Sequence, residues 1–187
     1  CMTSFFETYG CERNLAESAA VEQTFLKRGW SRASDVQLAD IVVINTCSVR
    51  ASAEERIFGR LGFFTGLKKL RAGEPGAKSR NLEAAAEYVA QRGPVPLTLV
   101  VMGCMAQRLL KDLQKDWPAV DYVVGTFAKW KFPQIIEAVE QGVKYEELEE
   151  EPVYSFAPTS YEEGAFSTFV PIMHGCNNFC SYCIVPF

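Results

Sequence analysis

Asp40-Ile41-Val42-Val43-Ile44-Asn45-Thr46-Cys47 decides the fold. Four consecutive β-branched apolar residues without polar alternation read as a strand buried on both faces, the pattern of a parallel sheet covered by helices. Beyond Cys47 the spacing turns helical: Ser52 with Glu55 forms an S-x-x-E cap, and Ile57, Leu61 and Phe64 recur along one face. The unit is strand, cysteine, helix.

The same unit stands on either side. Upstream, residues 4–8 predict a short strand, Tyr9-Gly10-Cys11 follows, and residues 15–27 predict a helix. Asn14 with Glu17 resembles a capping box, and Leu15, Ala19, Phe25 and Leu26 form the expected buried stripe. Downstream, residues 97–102 predict a buried strand ending at Gly103-Cys104, after which Ala106, Leu109, Leu110, Leu113 and Trp117 share one helix face. A fourth strand, residues 121–124, ends at Gly125 and leads to a helix with Pro133 near its first turn and Gly142 just past its end. Residues 73–80 are a break, and residues 81–91 predict an extra surface helix. The alternation predicts an α/β domain with a parallel sheet flanked by helices on both faces.

That topology makes a site out of scattered thiols. Strands of an open parallel sheet end along one edge, where ligands bind, and Cys11, Cys47 and Cys104 each occupy that position on a different strand. Each following helix N-terminus adds partial positive charge that favours anionic ligands. Three thiolates hold an iron–sulfur cluster while leaving one iron open to a substrate or cofactor. The other readings are three small buried cysteines or zinc, which in a structural site takes four protein ligands. No fourth partner is evident beyond the terminal Cys1.

Composition narrows the class. At 187 residues and 48% hydrophobic content, the chain can bury one good domain and the start of a second. It has seven cysteines but neither the density nor the leader of a secreted disulfide scaffold. No apolar run approaches the roughly 18 residues of a membrane helix, so a cytoplasmic protein with no membrane contact is expected. A net charge of −4 argues against strong nucleic-acid binding by this segment alone. Beginning with Cys1-Met2 and stopping at Phe187, the chain reads as trimmed at both ends.

Residues 145–165, with Glu146, Glu147, Glu149, Glu150 and Glu151, read as an acidic extended linker. Residues 166–172 have strand character and lead to Gly175-Cys176-Asn177-Asn178-Phe179-Cys180-Ser181-Tyr182-Cys183-Ile184-Val185-Pro186. Its C-x3-C-x2-C spacing resembles the radical S-adenosylmethionine superfamily. Together with Thr8-Tyr9-Gly10-Cys11 and Asn14, Asn45-Thr46-Cys47-Ser48-Val49-Arg50 and Gly103-Cys104, it resembles the methylthiotransferases along essentially the whole chain, and their tRNA-modifying branch most.

The resemblance implies a Rossmann-like N-terminal domain (1–144) with an auxiliary [4Fe–4S] cluster on Cys11, Cys47 and Cys104. The linker (145–165) and the truncated first strand and cluster loop of a radical barrel (166–187) would follow. It implies a second [4Fe–4S] cluster on Cys176, Cys180 and Cys183, S-adenosylmethionine as cofactor and Tyr182 against its adenine. The implied activity is addition of a methylthio group to carbon 2 of N6-isopentenyladenosine beside the anticodon. The implied partners are tRNA, bound mainly through the missing C-terminal regions, and an electron donor such as flavodoxin or ferredoxin. Threonylcarbamoyladenosine or a ribosomal protein as target, and a non-enzymatic iron–sulfur or zinc module, are the alternatives. No residue is assigned as catalytic, and the lone His174 reads as a loop residue supporting the compact set. Arg13, Arg50 and Arg108 fall near the active edge, either to contact tRNA phosphate or cluster sulfides or to pair with Glu residues on nearby helices. This length of chain alone is expected to lack turnover.

Overall fold

The computed structural model describes residues 2–47, 51–74, 81–108, 110–125, 131–143, 166 and 176–181, without the side chains of residues 51–54, 107, 108, 110 and 111. Strand β1 (Thr3–Tyr9) is followed by α1 (Glu12–Lys27), β2 (Ser31–Arg32), a single 3-10 turn (Val36–Leu38) and β3 (Ile41–Thr46). Then come α2 (Ala51–Arg71), α3 (Glu83–Arg92), β4 (Thr98–Gly103), α4 (Cys104–Arg108), α5 (Leu110–Asp116), β5 (Tyr122–Val124) and α6 (Phe132–Gln141).

The five strands form one parallel sheet in the order β2-β1-β3-β4-β5. This is the expected α/β class, in one of the two common doubly wound orders. Side chains alternate across the pleat, so Ile41, Val43, Val100 and Met102 meet Val21 and Phe25 of α1 and Phe132, Ile135 and Ile136 of α6. Val42, Ile44, Leu99 and Val101 face Ile57, Leu61, Phe64 and Leu67 of α2, together with Ala85, Met105 and Leu113. The chain changes sides between β1 and β3, where α1 covers one face and α2 the other. Ligands of such sheets bind in the crevice at that switch point.

Several local expectations shift. The cap of α1 lies three residues earlier than expected: Cys11 is the N-cap and Asn14 the third helical residue. Its buried face is Asn14, Glu17, Ser18, Val21 and Phe25, whereas Leu15 is 53% exposed and Ala19 and Leu26 are only half-buried. The phase differs because the first two turns press polar groups against the sheet. Ser52 lies inside α2 rather than capping it. The predicted surface helix is α3, and it is not purely superficial: Leu82 and Ala85 enter the core, and the Ala85 amide donates to Gln37 Oε1 at 3.1 Å. A fifth strand, β2, escaped the sequence because it is two exposed residues without an apolar pattern, paired with Thr3 and Ser4 and tied to α1 by the Arg32–Glu22 ion pair (2.8 Å). The Pro133 start and left-handed Gly142 stop of α6 are as expected. Among the described residues no helix is long and apolar enough to cross a membrane.

Arg71 closes the far end of the sheet. Fully buried, it donates from Nε to the Val95 carbonyl (3.1 Å) and from Nη1 to the Gln37 and Ala39 carbonyls (2.9 and 2.8 Å), while its guanidinium lies 5.0 Å from the Tyr88 ring. These carbonyls belong to the segments that feed β3 and β4. Arg71→Ala orphans all three and opens a cavity, so urea denaturation is expected to show a loss of about 3 to 5 kcal/mol. A loss below about 1 kcal/mol would mean that water satisfies the carbonyls instead.

Candidate metal centre

The register places the three cysteine-bearing strand ends side by side. Tyr9 pairs with Thr46 and Thr46 with Gly103, so β1, β3 and β4 end on one row. Cys47 and Cys104 are the next residues after that row, and Cys11 follows Tyr9 by two. Neighbouring strands are about 4.8 Å apart, which puts β1 and β4 roughly 10 Å apart. All three thiols are free of disulfides; Cys11 is exposed, Cys104 half-buried and Cys47 buried at 5% exposure.

Among the described residues no three His, Cys, Asp or Glu side chains are drawn together into a group that could hold a metal ion. The edge thus presents its thiols just past one row of strand ends without closing them on one point. Donor type favours soft thiophilic metal over hard cations, because the three candidates are all thiols. In kind and in strand-end placement they fit an iron–sulfur cluster.

Behind the thiols lies a buried network of polar side chains that the sequence reading did not find. Asn14, 3% exposed, accepts at Oδ1 from the Cys11 amide (3.1 Å), and the Cys11 thiol stands 3.4 Å from the same oxygen. Its Nδ2 donates to Asn45 Oδ1 (3.1 Å) and to the Thr46 carbonyl (3.3 Å). Asn45, fully buried, returns Nδ2 to the Asn14 carbonyl (2.8 Å) and to Ser18 Oγ (3.1 Å), and Ser18 lies 2.7 Å from Thr8 Oγ1. Thr46 Oγ1 donates to the Met102 carbonyl at 3.0 Å. Every amide hydrogen of the two asparagines has an acceptor. The available signal was an Asn at the end of an otherwise apolar β-branched strand, where an unpartnered amide would be costly.

Two glycines make room for this network. A Cβ on Gly10 would lie 2.2 Å from Asn14 Oδ1. At Gly103, where φ is +103°, a Cβ would lie 2.3 Å from the Thr46 carbonyl oxygen and 2.6 Å from Asn45 Oδ1.

On the α2 side of β1, Glu7 accepts from Tyr9 (2.8 Å) and pairs with Arg60, whose guanidinium lies over the Phe63 and Phe64 rings at 4.5 and 4.9 Å. Burial, then the Glu7 carboxylate, push the Tyr9 phenol up to about 12. It therefore remains a donor at ordinary pH, bracing the turn into Gly10-Cys11.

Of the arginines expected at the edge, Arg13 pairs with Glu17 at 3.3 Å across one helical turn. Arg50 and the Arg108 side chain lie outside the described residues, as do His174, Tyr182, Cys183 and residues 144–165. Of the compact set, Cys176 and Cys180 are described: the Asn178 amide donates to Cys176 Sγ (3.4 Å) and the Cys180 amide to the Asn178 carbonyl (2.9 Å). This is a tight turn that aims amide hydrogen at sulfur.

Comparison with known proteins now decides the family. The uncharacterized protein family UPF0004 matches residues 3–125, from β1 through β5 and across all three strand-end cysteines. The chain belongs to UPF0004. This UPF0004 chain is similar to curated proteins named tRNA-2-methylthio-N(6)-dimethylallyladenosine synthase. In Treponema pallidum (strain Nichols) the identity is 48% over 197 residues, and in Treponema denticola it is 43% over 197 residues; each alignment takes in 100% of this chain and 38% of the relative. In Dictyoglomus thermophilum the identity is 34% over 186 residues, covering 96% of this chain and 36% of the relative. The resemblance to methylthiotransferases drawn from the cysteine motifs is borne out. The UPF0004 chain thus spans well under half the length of the curated relatives it matches.

Proposed function

We propose that the chain is the N-terminal part of a methylthiotransferase that adds a methylthio group to carbon 2 of N6-isopentenyladenosine in tRNA. One observation carries the reading: 48% identity to a relative named for that activity runs over 100% of this chain, a span that takes in both cysteine sets. The row of strand ends under Cys11, Cys47 and Cys104 supports it.

In this reading Cys11, Cys47 and Cys104 hold an auxiliary [4Fe–4S] cluster, and Cys176, Cys180 and Cys183 hold a second that binds S-adenosylmethionine, with Tyr182 against the adenine. When bound, the two groups supply an iron with an exchangeable position for the incoming sulfur and the one-electron reduction that cleaves S-adenosylmethionine. The chain's own residues divide the remaining work. Buried Cys47 anchors from the sheet interior, while exposed Cys11 supplies the ligand nearest solvent. Residues 1–144 form the auxiliary domain, 145–165 a linker and 166–187 the opening of the radical domain. The net charge of −4 leaves tRNA phosphate to basic surfaces in the remainder of the protein. A small redox protein such as flavodoxin or ferredoxin supplies the electron, and the location is cytoplasmic.

Nucleoside analysis of tRNA from a deletion strain tests the substrate. The 2-methylthio derivative of N6-isopentenyladenosine is expected to disappear and the unmodified isopentenyl nucleoside to accumulate. An unchanged level of the derivative rules out this target and points to threonylcarbamoyladenosine or a ribosomal protein.

A further inference from the structure

We propose that Asn14 is the positioning residue of the strand-end thiols: its amide ties the Cys11 turn to the β3 end that carries Cys47. The proposal deepens the reading of Cys11, Cys47 and Cys104 as one ligand set, but its first test does not depend on metal.

The amide's orientation is determined on every side. Asn45 Nδ2 must donate, because one of its partners is the Asn14 backbone carbonyl (2.8 Å). Asn45 Oδ1 therefore faces Asn14, which must answer with Nδ2 (3.1 Å), and the Thr46 carbonyl asks for the same group (3.3 Å). Asn14 Oδ1 is left for the Cys11 amide (3.1 Å), which needs an acceptor. A flip would break three hydrogen bonds at once, so the side chain cannot reverse without unseating the loop.

The clamp spans positions that no backbone ladder joins. β1 ends its pairing with β3 at Tyr9 and Thr46, and Cys11 lies beyond that last rung. The Asn14 side chain continues the connection for two more residues, from the Cys11 amide to the Thr46 carbonyl. Gly103 of β4 packs against the same Asn45 amide, so the third cysteine-bearing strand end leans on the clamp as well. Gly10 keeps open the space that the Asn14 amide occupies, and its φ is not in the left-handed region, so an alanine there displaces the amide without backbone strain.

Four forms of the full-length protein test this: parent, Asn14→Ala, Gly10→Ala and the double variant. In the metal-free protein, site-resolved iodoacetamide alkylation is expected to run several-fold faster at Cys11 and Cys47 in Asn14→Ala. Gly10→Ala should give the same increase, and the double variant no more than either alone, since most of the clash vanishes with the amide. Thermal melting accompanies each form to separate loosening of this edge from global unfolding. Alkylation rates within twofold of the parent in both single variants, or rate increases that multiply in the double variant, overturn the proposal. After anaerobic reconstitution, the single variants are expected to lose edge-bound iron to a chelator several-fold faster and to alter the reduced cluster's electron-paramagnetic line shape. Failure of the parent itself to bind iron at Cys11, Cys47 and Cys104 counts against the cluster reading, while the alkylation result still decides the clamp.

Discussion

Cys47→Ala is expected to remove about half of the iron from the reconstituted full-length protein and to abolish methylthio transfer while leaving S-adenosylmethionine cleavage intact. The reasoning is positional. Cys47 is the most buried of the three strand-end thiols, at 5% exposure, and it directly follows the row in which β1, β3 and β4 end. Alanine fits the space it leaves, so the folding cost is about 1 kcal/mol, while two remaining thiols are too few to retain the ligand set. In the proposed reading Cys176, Cys180 and Cys183 hold a separate cluster, and the turn at Cys176 and Cys180 carries its own amide contact to sulfur. Iron and sulfide assays, 5′-deoxyadenosine formation and nucleoside analysis on the same preparation check the three parts. Loss of cleavage along with transfer would contradict separate roles for the two sets.

Gly103→Ala is expected to cost more than about 3 kcal/mol, combining a positive-φ penalty with a backbone collision. The new Cβ would lie 2.3 Å from the Thr46 carbonyl oxygen and 2.9 Å from the Thr46 nitrogen, both backbone atoms of the neighbouring strand. A flexible side chain could yield, but here β3 and β4 must part at the rung that aligns Cys47 with Cys104. Gly29 supplies the control, because its φ is +89° and nothing lies within 4 Å of its would-be Cβ. Gly29→Ala therefore reports backbone strain alone, about 1 to 2 kcal/mol. Thermal denaturation should place Gly103→Ala roughly 10 °C below the parent and well below Gly29→Ala. Equal shifts would show that the close approach to Thr46 contributes nothing.

Four of the strands were legible because their information is local. The run Ile41-Val42-Val43-Ile44 has no polar position to expose, and residues 99–102 repeat the pattern, so each had to be buried on both faces. The same locality made the strand-end cysteines readable, since a thiol one or two residues past a strand lies at the sheet edge whatever the strand order. α1 misled for the converse reason. Periodicity looks for an apolar stripe, and the helix instead buries Asn14, Glu17 and Ser18 near the site while exposing Leu15. Functional edges place polar groups where pattern reading expects core.

The sequence alone therefore determined the α/β class, the helix-covered parallel sheet and the three thiols at its edge, since burial and strand-end position are written within each segment. Tertiary structure alone decided which thiols are neighbours and what holds their loops. Asn14 and Asn45 are 31 residues apart, and their amides meet because β1 and β3 pair in one register around the switch point. A hydrogen bond between distant side chains has no periodicity to betray it. It exists once the sheet has assembled and two glycines have left it room.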